Sequence, residues 1–121
     1  MLEESMDRLI KAFGNSTAAF KHLAGSEKAF QQECILFVIA LPAAWLLAAS
    51  FGQLLLLMAV VLLIVIVEVL NTAIEAVCDA VSEDFDANIK IAKDCGSLAV
   101  LMSIAIALVT WAHSIVIWFT R

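Results

Sequence analysis

The stretch LLLLMAVVLLIVIVEVLNTAIEAVCDAVS, residues 54–82, opens on an uncharged apolar run that lasts to Val67 and closes on a ladder of carboxylates. The fourteen residues of that run, wound as a helix, rise only about 21 Å, short of a hydrocarbon core near 30 Å. A helix that starts at Leu54 must therefore continue through Glu68 to finish crossing. In the continuation, Glu68, Asn71, Thr72, Glu75, Asp79 and Ser82 recur at three- and four-residue steps. At about 100° per residue all six fall within an arc of about 100°. Val69, Leu70, Ala73, Val77, Ala80 and Val81 occupy the other side. Such a stripe is expected to line something wet, because carboxylates at membrane depth are costly unless paired or solvated. The competing reading is structural: the same side chains could join helices through hydrogen bonds, Asn71 above all.

Depth separates the two glutamates. Measured from Leu54, Glu68 lies about 21 Å in and Glu75 about 31 Å. Glu68 then stands at the level of a lipid's glycerol hydroxyl, and Glu75 at headgroup or water level. Their separation of about 10.5 Å along the axis is too great for both to ligate one ion on their own helix. They need different tasks.

Working outward, no charge occurs between Glu33 and Glu68 or between Asp94 and Arg121. Apolar residues make up 64% of the 121 and charged ones 16%, with mean hydropathy +1.01. Uninterrupted apolar runs of this length belong in a membrane and exclude a soluble enzyme. The first run is too long for one crossing, and Ser50-Phe51-Gly52-Gln53 is its only turn-like cluster. The expected layout is all-α. An amphipathic surface helix over 1–25 precedes span one over 28–51. Span two covers 54–81, a cytoplasmic loop 82–97, and span three 98–119. Pro42 is tolerable inside a membrane helix. Arg8, Lys11, Lys21 and Lys28 precede span one, while Lys90 and Lys93 lie between spans two and three. The positive-inside rule then puts the N-terminus in the cytoplasm and the C-terminus outside.

Other classes fall away. A net charge of −5 offers no basic patch for nucleic acid. Cys34, Cys78 and Cys95 form no C-x-x-C pair and read as free thiols. Residues 1–28 lack the apolar core of a cleavable signal peptide. No P-loop or G-x-G-x-x-G occurs, so any nucleotide chemistry uses a site unlike that of the soluble kinases. A cation-coupled transporter fits poorly, since nothing resembles inverted repeats and Glu75 and Asp79 lie too near water for a midplane site. Lys93 and Asp94 could serve a metal-bound phosphate, or could simply mark the membrane surface. Thr110, His113 and Ser114 form a small polar patch suited to helix packing. The residues alone thus reach a carboxylate site at the cytoplasmic interface, and leave a scaffold or small transporter as rivals.

The segment Glu68-Val-Leu-Asn71-Thr-Ala-Ile-Glu75-Ala-Val-Cys-Asp79 resembles the signature E-x-L-N-[ST]-A-I-E-x-x-x-D of the bacterial integral-membrane diacylglycerol kinases. Ala92-Lys93-Asp94-Cys-Gly96-Ser97-Leu-Ala99-Val100 is similar to that family's A-K-D-x-[GA]-[SA] stretch, and Glu27-Lys-Ala29-Phe30-Gln-Gln32-Glu33 to its E-x-A-F-x-x-E. The resemblance runs along essentially the whole chain. It implies a homotrimeric inner-membrane enzyme that moves the γ-phosphoryl of MgATP to the primary hydroxyl of diacylglycerol, giving phosphatidate. Relatives that phosphorylate undecaprenol are the alternative within the same family. By position, the resemblance makes Glu68 the general base and gives Glu27 and Glu75 the Mg²⁺. Arg8, Asn15, Asp84, Phe85, Asp86, Lys93 and Asp94 occupy nucleotide-contacting positions. Ser16, Phe30, Gln32, Glu33 and Ser97, with Glu68, occupy lipid-contacting ones, and Asn71 and Asp79 support the site.

Overall fold

Four helices account for nearly every residue of the computed structural model, which describes Met1 to Arg121. They are α1 (Leu2–Ser26), α2 (Lys28–Leu47), α3 (Phe51–Val81) and α4 (Ala87–Thr120). The chain divides into two units, Met1–Gln32 and Glu33–Arg121.

The first unit holds α1 and the opening turn of α2. Glu3 and Glu4 in the first turn of α1 suit the positive end of its dipole. Gly25 and Ser26, both weak helix formers, bring the helix to its end. Glu27 breaks the ladder with extended backbone, φ −102° and ψ 107°. Across this one-residue break Gln31 Nε2 donates to the Ala24 carbonyl at 2.7 Å. Phe30 meets Phe20 edge-on, with ring centroids 5.5 Å apart.

In the second unit α2, α3 and α4 are each long and apolar enough to cross a membrane. The 31 residues of α3 and 34 of α4 measure about 46 and 51 Å, so each exceeds the hydrocarbon thickness by several turns. α3 and α4 pack closely along each other in antiparallel sense. At one end Trp111 Nε1 donates to the Leu57 carbonyl at 3.1 Å, and Gln53 Nε2 to Ser114 Oγ at 3.2 Å. At the other end Lys93 bonds Asp79. Val60, Ile64 and Ala107 form the apolar centre between them. A cavity of about 400 Å³ lies between α2 and this pair, walled by side chains such as Ala40, Ile64 and Ala107, with Glu33 on its lining.

Two boundaries differ from the sequence expectation. Span one ends at Leu47, and the turn comes earlier than the Ser50–Gln53 cluster suggested. The Ser50 hydroxyl accepts from Gln53 N–H at 3.1 Å, and Gln53 Oε1 accepts from Ala49 N–H at 2.8 Å. This S-x-x-Q cap starts α3 at Phe51 and draws Gly52 and Gln53 into its first turn. The expected loop over 82–97 shrinks to residues 82–86. Asp86 caps α4 by accepting from the backbone of Asn88 at 2.8 Å and of Ile89 at 3.2 Å. The charges that looked loop-like instead sit at helical spacing, Lys90 to Asp94 at 2.6 Å.

Candidate active site

The polar ladder of α3 is the downward continuation of its packing face. Leu57, Val61, Ile64, Glu68, Asn71 and Cys78 are all buried and, with half-buried Glu75 between the last two, follow the three- and four-residue steps of one stripe. The side chains expected to line a wet surface therefore turn inward at their upper end. Glu68 is 9% exposed and Asn71 8%. Lower down, Glu75 is half-buried and Asp79 exposed. On the reverse side Leu70, Val77 and Val81 are open, as the alternation of residue types predicted. The two carboxylates thus sit on one line with a step in solvent access between them.

Between them lies Asn71. Its Nδ2 donates to Glu75 Oε1 at 3.3 Å, while its Oδ1 is buried without a hydrogen-bond donor. That oxygen rests against the bare Cα of Gly96 on α4. A Cβ at Gly96 would collide with Asn71 Oδ1 and come within 3.1 Å of its Cγ. The interhelical hydrogen bond that is the rival reading of Asn71 is not made: its one bond stays within α3, and its tie to α4 is the close approach to Gly96. One turn of α3 below Glu75, Lys93 Nζ donates to Asp79 Oδ1 at 2.9 Å.

The remaining second-unit candidates spread over the surface at this end. Asp94 pairs with Lys90, Asp84 N–H donates to Ser82 Oγ at 3.1 Å, Phe85 is 84% exposed, and Ser97 is exposed. Asp86 spends one carboxylate oxygen on the α4 cap. Glu33 is half-buried, and its Oε2 finds no donor. Arg8, Asn15, Ser16, Glu27, Phe30 and Gln32 belong to the first unit. There Arg8, Asn15 and Gln32 are exposed, Ser16 Oγ donates to the Ala12 carbonyl, and Glu27 forms the break between α1 and α2.

No three His, Cys, Asp or Glu side chains converge to cage an ion. Magnesium carried with a nucleotide needs only one or two carboxylates, taking its other ligands from phosphates and water. A half-exposed Glu75 with one oxygen steadied by Asn71 fits that requirement.

A profile of the family described as prokaryotic diacylglycerol kinase matches residues 14–115. The chain belongs to that family. It is 42% identical over 110 residues to a diacylglycerol kinase of Pseudomonas aeruginosa, covering 91% of this chain and 89% of that one. To the diacylglycerol kinase of Escherichia coli K12 it is 39% identical over 112 residues, 92% and 89% of the two chains. To that of Haemophilus influenzae it is 30% identical over 106, 88% and 90%. Family membership makes the chain an enzyme of the kinase class, and its three long apolar helices make it a multi-pass membrane protein. The scaffold and transporter readings fall with that.

Sequence reasoning gave no site role to two residues that contact candidate side chains, Lys90 beside Asp94 and Gly96 beside Asn71. Lys90, the partner of Asp94, was legible in the i,i+4 spacing. Gly96 carried a weaker signal: a lone glycine inside a helical pattern, where alanine would be favoured by propensity.

Proposed function

We propose that the chain transfers the γ-phosphoryl group of ATP to the primary hydroxyl of diacylglycerol within the membrane, giving phosphatidate and ADP. The observation that carries this reading is the stepped pair on α3, with Glu68 buried among the helices and Glu75 two turns away and half-open. A membrane-confined alcohol meets the first, and a nucleotide arriving from water meets the second.

Phosphoryl transfer asks for positioning and charge neutralisation more than for covalent help. Glu68 is the general base: its carboxylate takes the hydroxyl proton as the alcohol oxygen bonds to the γ-phosphorus. The bond from that phosphorus to the β–γ bridging oxygen breaks, and ADP leaves with the electron pair. Glu75 and Glu27 would hold Mg²⁺, which would supply neutralisation of the phosphate charge. Lys93 faces the phosphates as counter-charge, with Asp94, Arg8, Asn15, Asp84, Phe85 and Asp86 around the nucleotide. Ser16, Phe30, Gln32, Glu33 and Ser97 take the lipid. The donor-less Oε2 of Glu33, beside an apolar cavity, supports this, since a buried acceptor gains from a hydroxyl brought to it.

The same reading makes the protein a homotrimer of the bacterial inner membrane, N-terminus in the cytoplasm and C-terminus in the periplasm. Supporting it are the Lys and Arg side chains gathered ahead of α2 and at the start of α4. Diacylglycerol is favoured over undecaprenol because the relatives above are named for it. The deciding experiment supplies γ-labelled ATP and either lipid to the purified protein in mixed micelles and follows label into extracted lipid. Label in phosphatidate is expected. Faster labelling of the polyprenol overturns the choice of lipid, and label in neither overturns the reaction.

A further inference from the structure

We propose that Gly96 is a positioning residue for phosphoryl transfer: its missing side chain is the seat of the Asn71 amide, and the seated amide holds Glu75 at the metal. The inference rests on the reading of Glu75 as a magnesium ligand and extends the site to a residue on α4 that touches no substrate.

Three observations on two helices converge on it. A Cβ at Gly96 would occupy the space that Asn71 Oδ1 now fills and would crowd its Cγ at 3.1 Å. Asn71 is 8% exposed, so its amide rests among protein side chains rather than in solvent. The other end of the same amide, Nδ2, donates to Glu75 Oε1 at 3.3 Å. An amide plane fixed at one end by contact with Gly96 presents its N–H at the other in a fixed direction. Oδ1 has no N–H or O–H donor, so close approach to the glycine Cα is what it has in exchange. Contacts of the Cα–H···O kind recur where helices meet closely. Glu75 is thereby left with one oxygen steadied and the other available.

Helix propensity separates this role from ordinary packing. Glycine inside a helix is about 1 kcal/mol worse than alanine, so Gly96 carries a local cost that its packing against Asn71 offsets. The atoms a Cβ would strike are the far end of a side chain, and Asn71 can swing aside without backbone movement. Gly96→Ala should fold, and should release the amide from Glu75.

The test compares Gly96→Ala, Asn71→Ala, the double variant and Glu75→Gln in the full-length protein, with Gly52→Ala as control. A Cβ at Gly52 meets only Ser50 Oγ, at 3.9 Å. Mn²⁺ affinity is read by electron paramagnetic resonance with a non-hydrolysable ATP analogue, beside the Mg²⁺ dependence of turnover, the lipid KM and the melting temperature. Gly96→Ala and Asn71→Ala are each expected to weaken Mn²⁺ about tenfold, the worth of a hydrogen bond to a charged group. Lipid KM should stay within about twofold by the same reasoning, and Gly96→Ala should melt no lower than Gly52→Ala. The double variant should be no worse than either single one, because both remove the same amide contact. Unchanged Mn²⁺ affinity in Gly96→Ala, while Glu75→Gln loses it, overturns the positioning role alone; so does additive loss in the double variant. Unchanged affinity in Glu75→Gln overturns the metal assignment and this inference together.

Discussion

Lys93 on α4 reaches back to Asp79 on α3, Nζ to Oδ1 at 2.9 Å, where the end of one of the two longest helices meets the start of the other. Both side chains are substantially exposed, 42% and 57%, so solvent screens the pair and it adds little to stability. Its value is orientation: an ammonium on a flexible stem is held on the side of α3 that carries Glu75. Removing the charge of Asp79 (Asp79→Asn) should leave folding intact and raise the KM for ATP severalfold, with lipid KM unchanged. Lys93→Ala should raise it further. Steady-state kinetics with each substrate varied in turn decide the matter, and an equal rise in both KM values would point to a general folding defect.

Glu68 sits one turn below the last apolar contact of the α3 stripe, Ile64, and only 9% of it is exposed. A base here acts on the transition state and contributes little to holding ATP. Glu68→Gln keeps the shape and the hydrogen-bonding capacity and removes the proton acceptor. The expected outcome is a fall in kcat of about 10²–10⁴-fold, with nucleotide KM close to wild type. A variant that folds normally and turns over at the full rate would remove Glu68 from the chemistry.

Glu75→Gln and Glu27→Gln probe the other half of the pair. Each should weaken Mg²⁺-dependent ATP binding, measured by calorimetry at several Mg²⁺ concentrations, with lipid binding retained. Since Glu75 is also tied to Asn71, its variant should show the larger loss. Equal and wild-type affinity in both would place the ion elsewhere.

Much of this architecture was legible because membrane constraint and helical geometry act on the same letters. Fourteen apolar residues before Glu68 could not complete a crossing, so α3 had to continue, and it does to Val81. The stripe's bearing was legible as well. What it faced was not: above Glu68 the helix is apolar on every side, so periodicity could not show that Ile64 and Leu57 share that bearing as the α4 contact. Burial of Glu68 and Asn71 emerges only when α4 is laid alongside. The loop over 82–97 failed for a related reason, since charge density suggested turn where Lys90 and Asp94 were forming helix. Gly96 and Asn71 lie 25 positions apart in the chain, and no local pattern joins them.

At the far end of the α3–α4 pair, one residue ties the turn before α3, α3 itself and α4 together. Gln53 Oε1 accepts from Ala49 N–H, its backbone N–H donates to Ser50 Oγ, and its Nε2 donates to Ser114 Oγ on α4. Trp111 adds a single bond to the Leu57 carbonyl, which lies within the α3 ladder. Interhelical hydrogen bonds in membrane proteins average about 0.6 kcal/mol, whereas loss of a helix cap costs about 1 kcal/mol. Gln53→Ala removes part of a cap and an interhelical bond at once, and should destabilise by about 1–2 kcal/mol. Trp111→Phe keeps an aromatic ring but loses the bond and part of the indole packed against Val60, Ile64 and Ala107, so at least about 0.6 kcal/mol is expected. Reversible unfolding in mixed micelles ranks the two, and the KM for ATP in the Gln53 variant should stay at the wild-type value. A Trp111 effect exceeding that of Gln53 would mean that packing of the indole, rather than the capped turn, sets the register of α3 on α4.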